Sequence, residues 1–101
     1  MKKINIEYEF TTSTYDPDQD DLYYLFDWGD GNSSITEYHS SGETVIESYK
    51  WNKQGSFNIR VRAQDDNGVW SDWSDPLSIS MPKSKSARKL FFRETFSNIF
   101  N

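Results

Sequence analysis

The sequence predicts a single all-β domain, and three observations carry that expectation. The helix formers Ala and Leu are scarce, whereas Tyr, Phe, Trp, Ile, Val, Thr and Ser, the residues of strands and turns, dominate. Several segments alternate apolar with polar residues in period two, the mark of a strand with one face in a core. Between them lie turn-forming clusters built on Pro17, Asp30-Gly31 and Asn67-Gly68. At 101 residues the chain has apolar area for one core and too little for two. Only 35% of it is hydrophobic, but the 17% that is aromatic carries large area per side chain, so a small ring-rich core is expected.

Taken in order, Ile4, Ile6, Tyr8 and Phe10 alternate with Asn5, Glu7 and Glu9, which predicts a half-buried strand over residues 4–10. The stretch TTSTYDPDQDD that follows is a turn region rich in aspartate. LYYLFDW places Leu22, Tyr24, Phe26 and Trp28 on one face, and GDGN closes a hairpin onto a short strand in SSITEY. After the loop HSSGE, TVIESYKW alternates again, with either Val45, Tyr49 and Trp51 or Ile46 facing inward. NKQG makes a tight turn. The cleanest alternation then sets Phe57, Ile59, Val61 and Ala63 against Asn58, Arg60, Arg62 and Gln64. QDDNG reverses the chain and PLSISM supplies a last strand. Six or seven short strands about 8 to 12 residues apart predict an immunoglobulin-like β-sandwich over residues 1–81.

Residues 82–101 change character. Behind a polar, basic linker, Phe92, Phe96, Ile99 and Phe100 recur at helical spacing, so the tail reads as a short amphipathic helix or as a disordered segment that folds back on the sandwich. Charge divides the same way: residues 1–81 hold 6 Lys and Arg against 15 Asp and Glu, and residues 82–101 hold 5 against 1. An acidic body repels phosphates, which excludes nucleic acid as a partner. The basic tail, carrying Leu90, Phe91, Phe92, Phe96, Ile99 and Phe100, gives residues 88–100 a surface suited to an anionic membrane or a partner domain. With no cysteine there is neither a disulfide framework nor a thiolate metal site. MKKINIEYEF lacks the apolar core of a signal peptide, so for a secreted protein the export signal is expected outside this chain. No run approaches the roughly 18 apolar residues of a membrane span.

Two separated motifs, YYLFDWGDG and SYKWNKQGSFNIRVRAQD, in this order, resemble the polycystic kidney disease (PKD) domain. There a hairpin of the type Trp-x-(Phe/Tyr)-Gly-Asp-Gly precedes a strand that opens on Tyr-x3-Gly-x-Tyr-x-Val. The resemblance covers about residues 6 to 84, with Asp27, Trp28, Gly29, Asp30 and Gly31 as its hairpin motif. It is similar to PKD modules repeated in archaeal and some bacterial cell-surface proteins. Two departures stand out. The strand expected before Ile4 is absent or short, which reads as a fragment or a minimal copy. Phe57 stands where Tyr is commoner, giving up a hydroxyl.

In PKD domains that bind calcium, the resemblance assigns ligands to Asp16, Asp18 and Asp65. In an immunoglobulin-type sandwich the two loops involved lie at one end, so Asp20 and Asp66 could join them. Ca2+ is therefore the candidate cofactor. Gln19 replaces the Gly usual in this loop. Read alone, the aspartates also suit a solvated Asx-turn loop, and both readings stand at this point. The loop is no EF-hand, because its sixth position is Asp21 and its twelfth Asp27.

WSDWS matches the Trp-Ser-x-Trp-Ser signature of cytokine-receptor modules, but FDWGDG has no counterpart there. A shared structural solution is the simpler reading. Arg60 and Arg62 project from one strand face two residues apart, and Trp70 and Trp73 can stack on them as a cation-π ladder.

Catalytic chemistry finds little support. Asp27 and Asp30 flank Trp28-Gly29, and turn hydrogen bonding explains them better than glycosidase acid/base work. His39, the one histidine, has no nucleophile pattern nearby, and no phosphate loop or zinc cluster is present. Asn32-Ser33-Ser34 is a glycosylation triplet at a hairpin tip. Tyr23 and Tyr38 are expected to face outward, as cross-strand partners or as rings for sugars. The expected function is a non-enzymatic extracellular or cell-surface module, a spacer and an interaction or adhesion domain for neighbouring surface domains, protein or polysaccharide. The alternatives are a substrate-binding accessory module of a secreted hydrolase and an intracellular copy without a role of its own.

Overall fold

A computed structural model describes residues 4–81 and 89–91. Among these, seven strands run in the order β1 (Tyr8–Thr12), β2 (Leu22–Asp27), β3 (Ser33–Ile35), β4 (Val45–Tyr49), β5 (Gly55–Asp65), β6 (Leu77–Met81) and β7 (Lys89–Phe91). They form two sheets, β4-β1-β7 and β3-β2-β5-β6, the two layers of an all-β immunoglobulin-like sandwich.

The period-two pattern decides what fills the space between the layers. Leu22, Tyr24 and Phe26 of β2 and Phe57, Ile59, Val61 and Ala63 of β5 are buried, and their neighbours in sequence lie on the outer face. Tyr8 and Phe10 close the core from β1. Trp28 is fully buried, stacked between Phe26 and Tyr49 at centroid distances of 5.0 and 4.6 Å. Trp51 meets it edge-on at 6.0 Å. Each indole N–H is satisfied: Trp28 Nε1 donates to Ser34 Oγ at 2.8 Å and Trp51 Nε1 to the Trp28 carbonyl at 3.2 Å. Phe57 stacks on Trp51 at 5.7 Å in this dry region, where a phenol would need a partner of its own.

Two details differ from the sequence reading, and one choice it left open is settled. The first strand begins at Tyr8 rather than Ile4, because Asn5 adopts φ 63°, which breaks the extended backbone, and its N–H donates to the Trp51 carbonyl at 2.7 Å. Ile6 consequently stays exposed and the strand runs on to Thr12. In β4 the two open choices resolve to Val45 inward and Ile46 outward, with Tyr49 packed against the core. Finally, Lys89–Phe91, expected within a linker and helical tail, pairs in parallel with β1, Phe10 opposite Leu90. The helical positions Phe92, Phe96, Ile99 and Phe100, and the rest of the 88–100 contact surface, lie outside the described residues.

Strand direction fixes two poles. Leu22 pairs with Asp65, so the loop before β2 and the loop after β5 lie at one pole. Asp27 pairs with Arg60, which puts the β2–β3 hairpin at the other. β1 and β7 both run toward the first pole, since they are parallel and Thr12 leads into the aspartate loop.

Candidate functional site

The first pole gathers the acidic loops. Asp16 is buried and caps its own loop: Oδ2 accepts from the Asp20 N–H at 3.0 Å and Oδ1 from the Asp18 N–H at 3.4 Å, while the Gln19 N–H donates to the Asp16 carbonyl at 2.9 Å. Gln19 closes this turn with φ 63°, a conformation that suits glycine and costs other residues. Across the pole, Asp65 is buried and its Oδ1 accepts from the N–H groups of Asn67 and Val69, both at 2.9 Å. The Asn67 side chain reaches over to Asp20 Oδ2 at 3.3 Å and ties the loops together.

The result is that Asp16, Asp20 and Asp65 each offer a carboxylate oxygen, all within 4.8 Å of one another. Calcium–oxygen bonds run about 2.3 to 2.6 Å, so oxygens on one ion stand no more than about 5 Å apart, and this trio meets that condition. An all-carboxylate donor set suits a hard cation. The Asx-turn geometry and the candidate ligand geometry are thus compatible, because the Asp16 oxygens that accept turn amides each keep a further lone pair and Asp65 takes both of its turn amides on one oxygen. Asp18 and Asp66 are exposed and bring no oxygen into the trio. They act on it through charge. Asp20 is pushed up to about 6, first by desolvation, then by its hydrogen bond with Asp16 and the charges of Asp66, Asp16 and Asp18.

On the outer face of the β2–β5 sheet a second constellation forms. The Arg60 guanidinium lies 4.4 Å from the Trp73 ring centroid, and Arg62 lies 4.6 Å from Trp73 and 4.1 Å from Trp70. The two cations and two rings alternate along the strand. Tyr23 continues the row, edge-on to Trp70 at 5.8 Å and to Tyr38 at 5.1 Å. Its hydroxyl hydrogen-bonds Gln64 Oε1. Arg60 also holds Asp27 Oδ2 at 2.9 Å. Desolvation pushes Asp27 up, but hydrogen bonds from Arg60 and the Gly29 N–H, with the Arg60 charge, outweigh it and keep the carboxyl below its ordinary value.

Ser71 and Ser74, between and beside the tryptophans, escaped sequence reasoning. Both are buried. The Ser71 N–H donates to the Ala63 carbonyl at 2.7 Å while its hydroxyl accepts from the Ala63 N–H at 2.9 Å; Ser74 does the same with Val61 at 2.8 and 3.1 Å. Residues 70–75 therefore form a strap that completes the upper edge of β5 where β6 no longer pairs with it. The signal was the spacing: two serines three apart, each following a tryptophan, place hydroxyls on one side and rings on the other.

In the β2–β3 hairpin, Gly29 has φ +82°, and a Cβ there would lie 2.5 Å from the Asn58 carbonyl oxygen, so backbone packs where a side chain would stand. Asp27 Oδ1 accepts from the Gly29 N–H and Asp30 Oδ1 from the Asn32 N–H, both at 3.0 Å. Tyr49 donates to Asp30 Oδ2 at 2.6 Å. His39 is paired with Glu43 at 3.0 Å.

Comparison with known proteins matches this geometry to one family. The family model of the PKD domain matches residues 3–75. Among solved structures, the PKD domain of an M14-like peptidase from Thermoplasmatales archaeon SCGC AB-540-F20 is 36% identical, with a TM-score of 0.74, covering 80% of this chain and 84% of that one. No curated protein sequence matches. Hairpin motif, two-sheet order and family match agree: the chain belongs to the PKD domain family.

Proposed function

We propose that this PKD domain is a non-catalytic spacer and interaction module of an extracellular or cell-surface protein. PKD domains are generally non-catalytic and occur typically in secreted or extracellular proteins, often as spacers or accessory modules. The observation that carries the reading is the parallel pairing of β1 with β7. Chain that enters β1 at one pole leaves β7 at the other, a layout that suits a module adding its length between flanking domains. The side chains most suggestive of catalysis support the same reading, since Asp27, Asp30 and His39 are engaged in turn or ion-pair contacts. Ca2+ is the proposed cofactor at the exit pole, held by Asp16, Asp20 and Asp65, where it would cross-link the two loops.

A second reading, an accessory module that holds a substrate for a secreted hydrolase, draws support from the similar domain of an M14-like peptidase. The aromatic row favours it less. Tyr38, Tyr23 and Trp70 meet at 66° and 84°, so they do not form the coplanar ledge on which a flat sugar chain would lie. Passing the purified domain over chitin, cellulose and collagen separates the readings: a spacer washes off all three. Retention on one matrix, lost on substituting Tyr38 and Trp70 with alanine, would replace the spacer reading with the accessory one.

A further inference from the structure

We propose that Asn32 is an acceptor for an N-linked oligosaccharide, an inference that rests on the secreted or cell-surface reading. Asn32-Ser33-Ser34 is the one Asn-x-Ser/Thr triplet in the sequence, although the chain has seven asparagines. The structure puts it at the tip of the β2–β3 hairpin, with Asn32 and Ser33 both exposed. The hairpin tip is uncrowded at the preceding residue, where a Cβ built on Gly31 would have no atom within 4 Å. The side-chain amide of Asn32 makes two rim contacts, to the Tyr49 hydroxyl at 3.1 Å and to Asp30 Oδ2 at 3.4 Å. An N-linked sugar leaves one hydrogen on that nitrogen, enough to keep one of the two contacts.

In the transfer, Nδ2 attacks the anomeric carbon of an oligosaccharide carried on a polyisoprenyl phosphate. A C–N bond forms, the C–O bond to phosphate breaks, the lipid phosphate leaves, and the nitrogen gives one proton to a carboxylate of the transferase. The fold also sets the timing. Ser34, whose hydroxyl completes the triplet, pairs with Phe26 in the ladder and accepts from the Trp28 indole at 2.8 Å. A transferase must read that hydroxyl, so it acts on the chain before the hairpin closes.

The test attaches an export leader and secretes the whole chain from a cell that N-glycosylates secreted proteins, then measures intact mass. The expected result is one glycan increment that is absent in N32Q, kept in S34T, and removed by an enzyme that cleaves the Asn–sugar bond. N32Q leaves Ser34 and its indole bond in place and disturbs only the two exposed rim contacts, so it should still fold and be secreted, melting within a few degrees of the unmodified chain. Folded, unmodified protein offered to the transferase and lipid-linked donor in vitro should gain no sugar, while a peptide of residues 26–38 should. A secreted, folded chain at its unmodified mass, or an increment that persists in N32Q, overturns the proposal. Because the leader is supplied, this result concerns Asn32 alone; the spacer reading stands or falls on the matrix experiment.

Discussion

Gln19 shows how one residue sets the geometry of a whole loop. Its φ of 63° closes the turn that brings the Asp20 N–H back onto Asp16. A side chain in this left-handed conformation costs roughly 1 to 2 kcal/mol, and glycine avoids that cost while giving up part of it as chain entropy. Gln19→Gly is therefore expected to raise stability by about 0.5 to 1 kcal/mol, a gain of several degrees in melting temperature for a domain of this size. Thermal unfolding followed by circular dichroism checks it, and a lowered midpoint would mean the glutamine side chain contributes contacts of its own. The aspartates of the pole were legible as a group, because sandwich topology brings their loops together. Which carboxylates converge was not. Asp18 and Asp16 are two residues apart and look alike in sequence, yet the Gln19 turn buries one and exposes the other. The same limit applies to Asp65 and Asp66, where only the strand register decides which side chain points inward.

Among the elements, long strands with clean alternation were legible, as was the short β3 behind its strong turn, and pieces held only by distant partners were not. β5 announces itself through Phe57, Ile59, Val61 and Ala63. β7 has three residues and owes its strand state to pairing with β1, a long-range contact that local pattern does not carry. The strap is a similar case, since serines that replace a strand's backbone leave no hydropathy signal. It also poses a question of magnitude: whether rings or hydroxyls hold it. Each guanidinium–ring contact is worth roughly 0.5 to 1 kcal/mol at an exposed site. A buried N–H left without an acceptor costs about 1 to 3 kcal/mol, and losing Ser71 and Ser74 strands two, at Ala63 and Val61. Both pairs matter, but the hydroxyls should dominate. Replacing both serines with alanine is expected to destabilise by about 2 to 6 kcal/mol, and replacing Arg60 and Arg62, which make three ring contacts between them, with alanine by about 1.5 to 3 kcal/mol. Urea denaturation of the two double variants gives the order, and a larger loss from the arginines would assign the strap to its rings instead.

For the molecule as a whole, the exit pole couples stability to pH and to cations. Asp20, raised to about 6 from an ordinary 3.8, binds its proton more tightly in the folded state than in the unfolded one. Its contribution is accordingly full below pH of about 4 and is lost as pH rises through about 6, because the folded state then gives up the proton it held. A bound cation reverses the preference, as it requires the carboxylate. Millimolar calcium should therefore raise the melting temperature by several degrees relative to EDTA at pH 7.5, the stabilisation being about 2.7 kcal/mol at a hundredfold excess over its dissociation constant, and raise it much less at pH 5. Asp20→Asn should weaken the calcium response and flatten its pH dependence. Equal shifts at both pH values, or none, would leave the trio as turn-capping carboxylates. The strap has a consequence at this scale as well. A module strung beside close relatives of itself meets their strands at local concentrations near millimolar, where an open edge invites cross-chain zippering and swapped, misfolded pairs. By occupying the Val61 and Ala63 amides and carbonyls with its own serines, the domain removes the part of β5 that such a neighbour could add to. Along that stretch, each copy in a string of such modules is closed to the next.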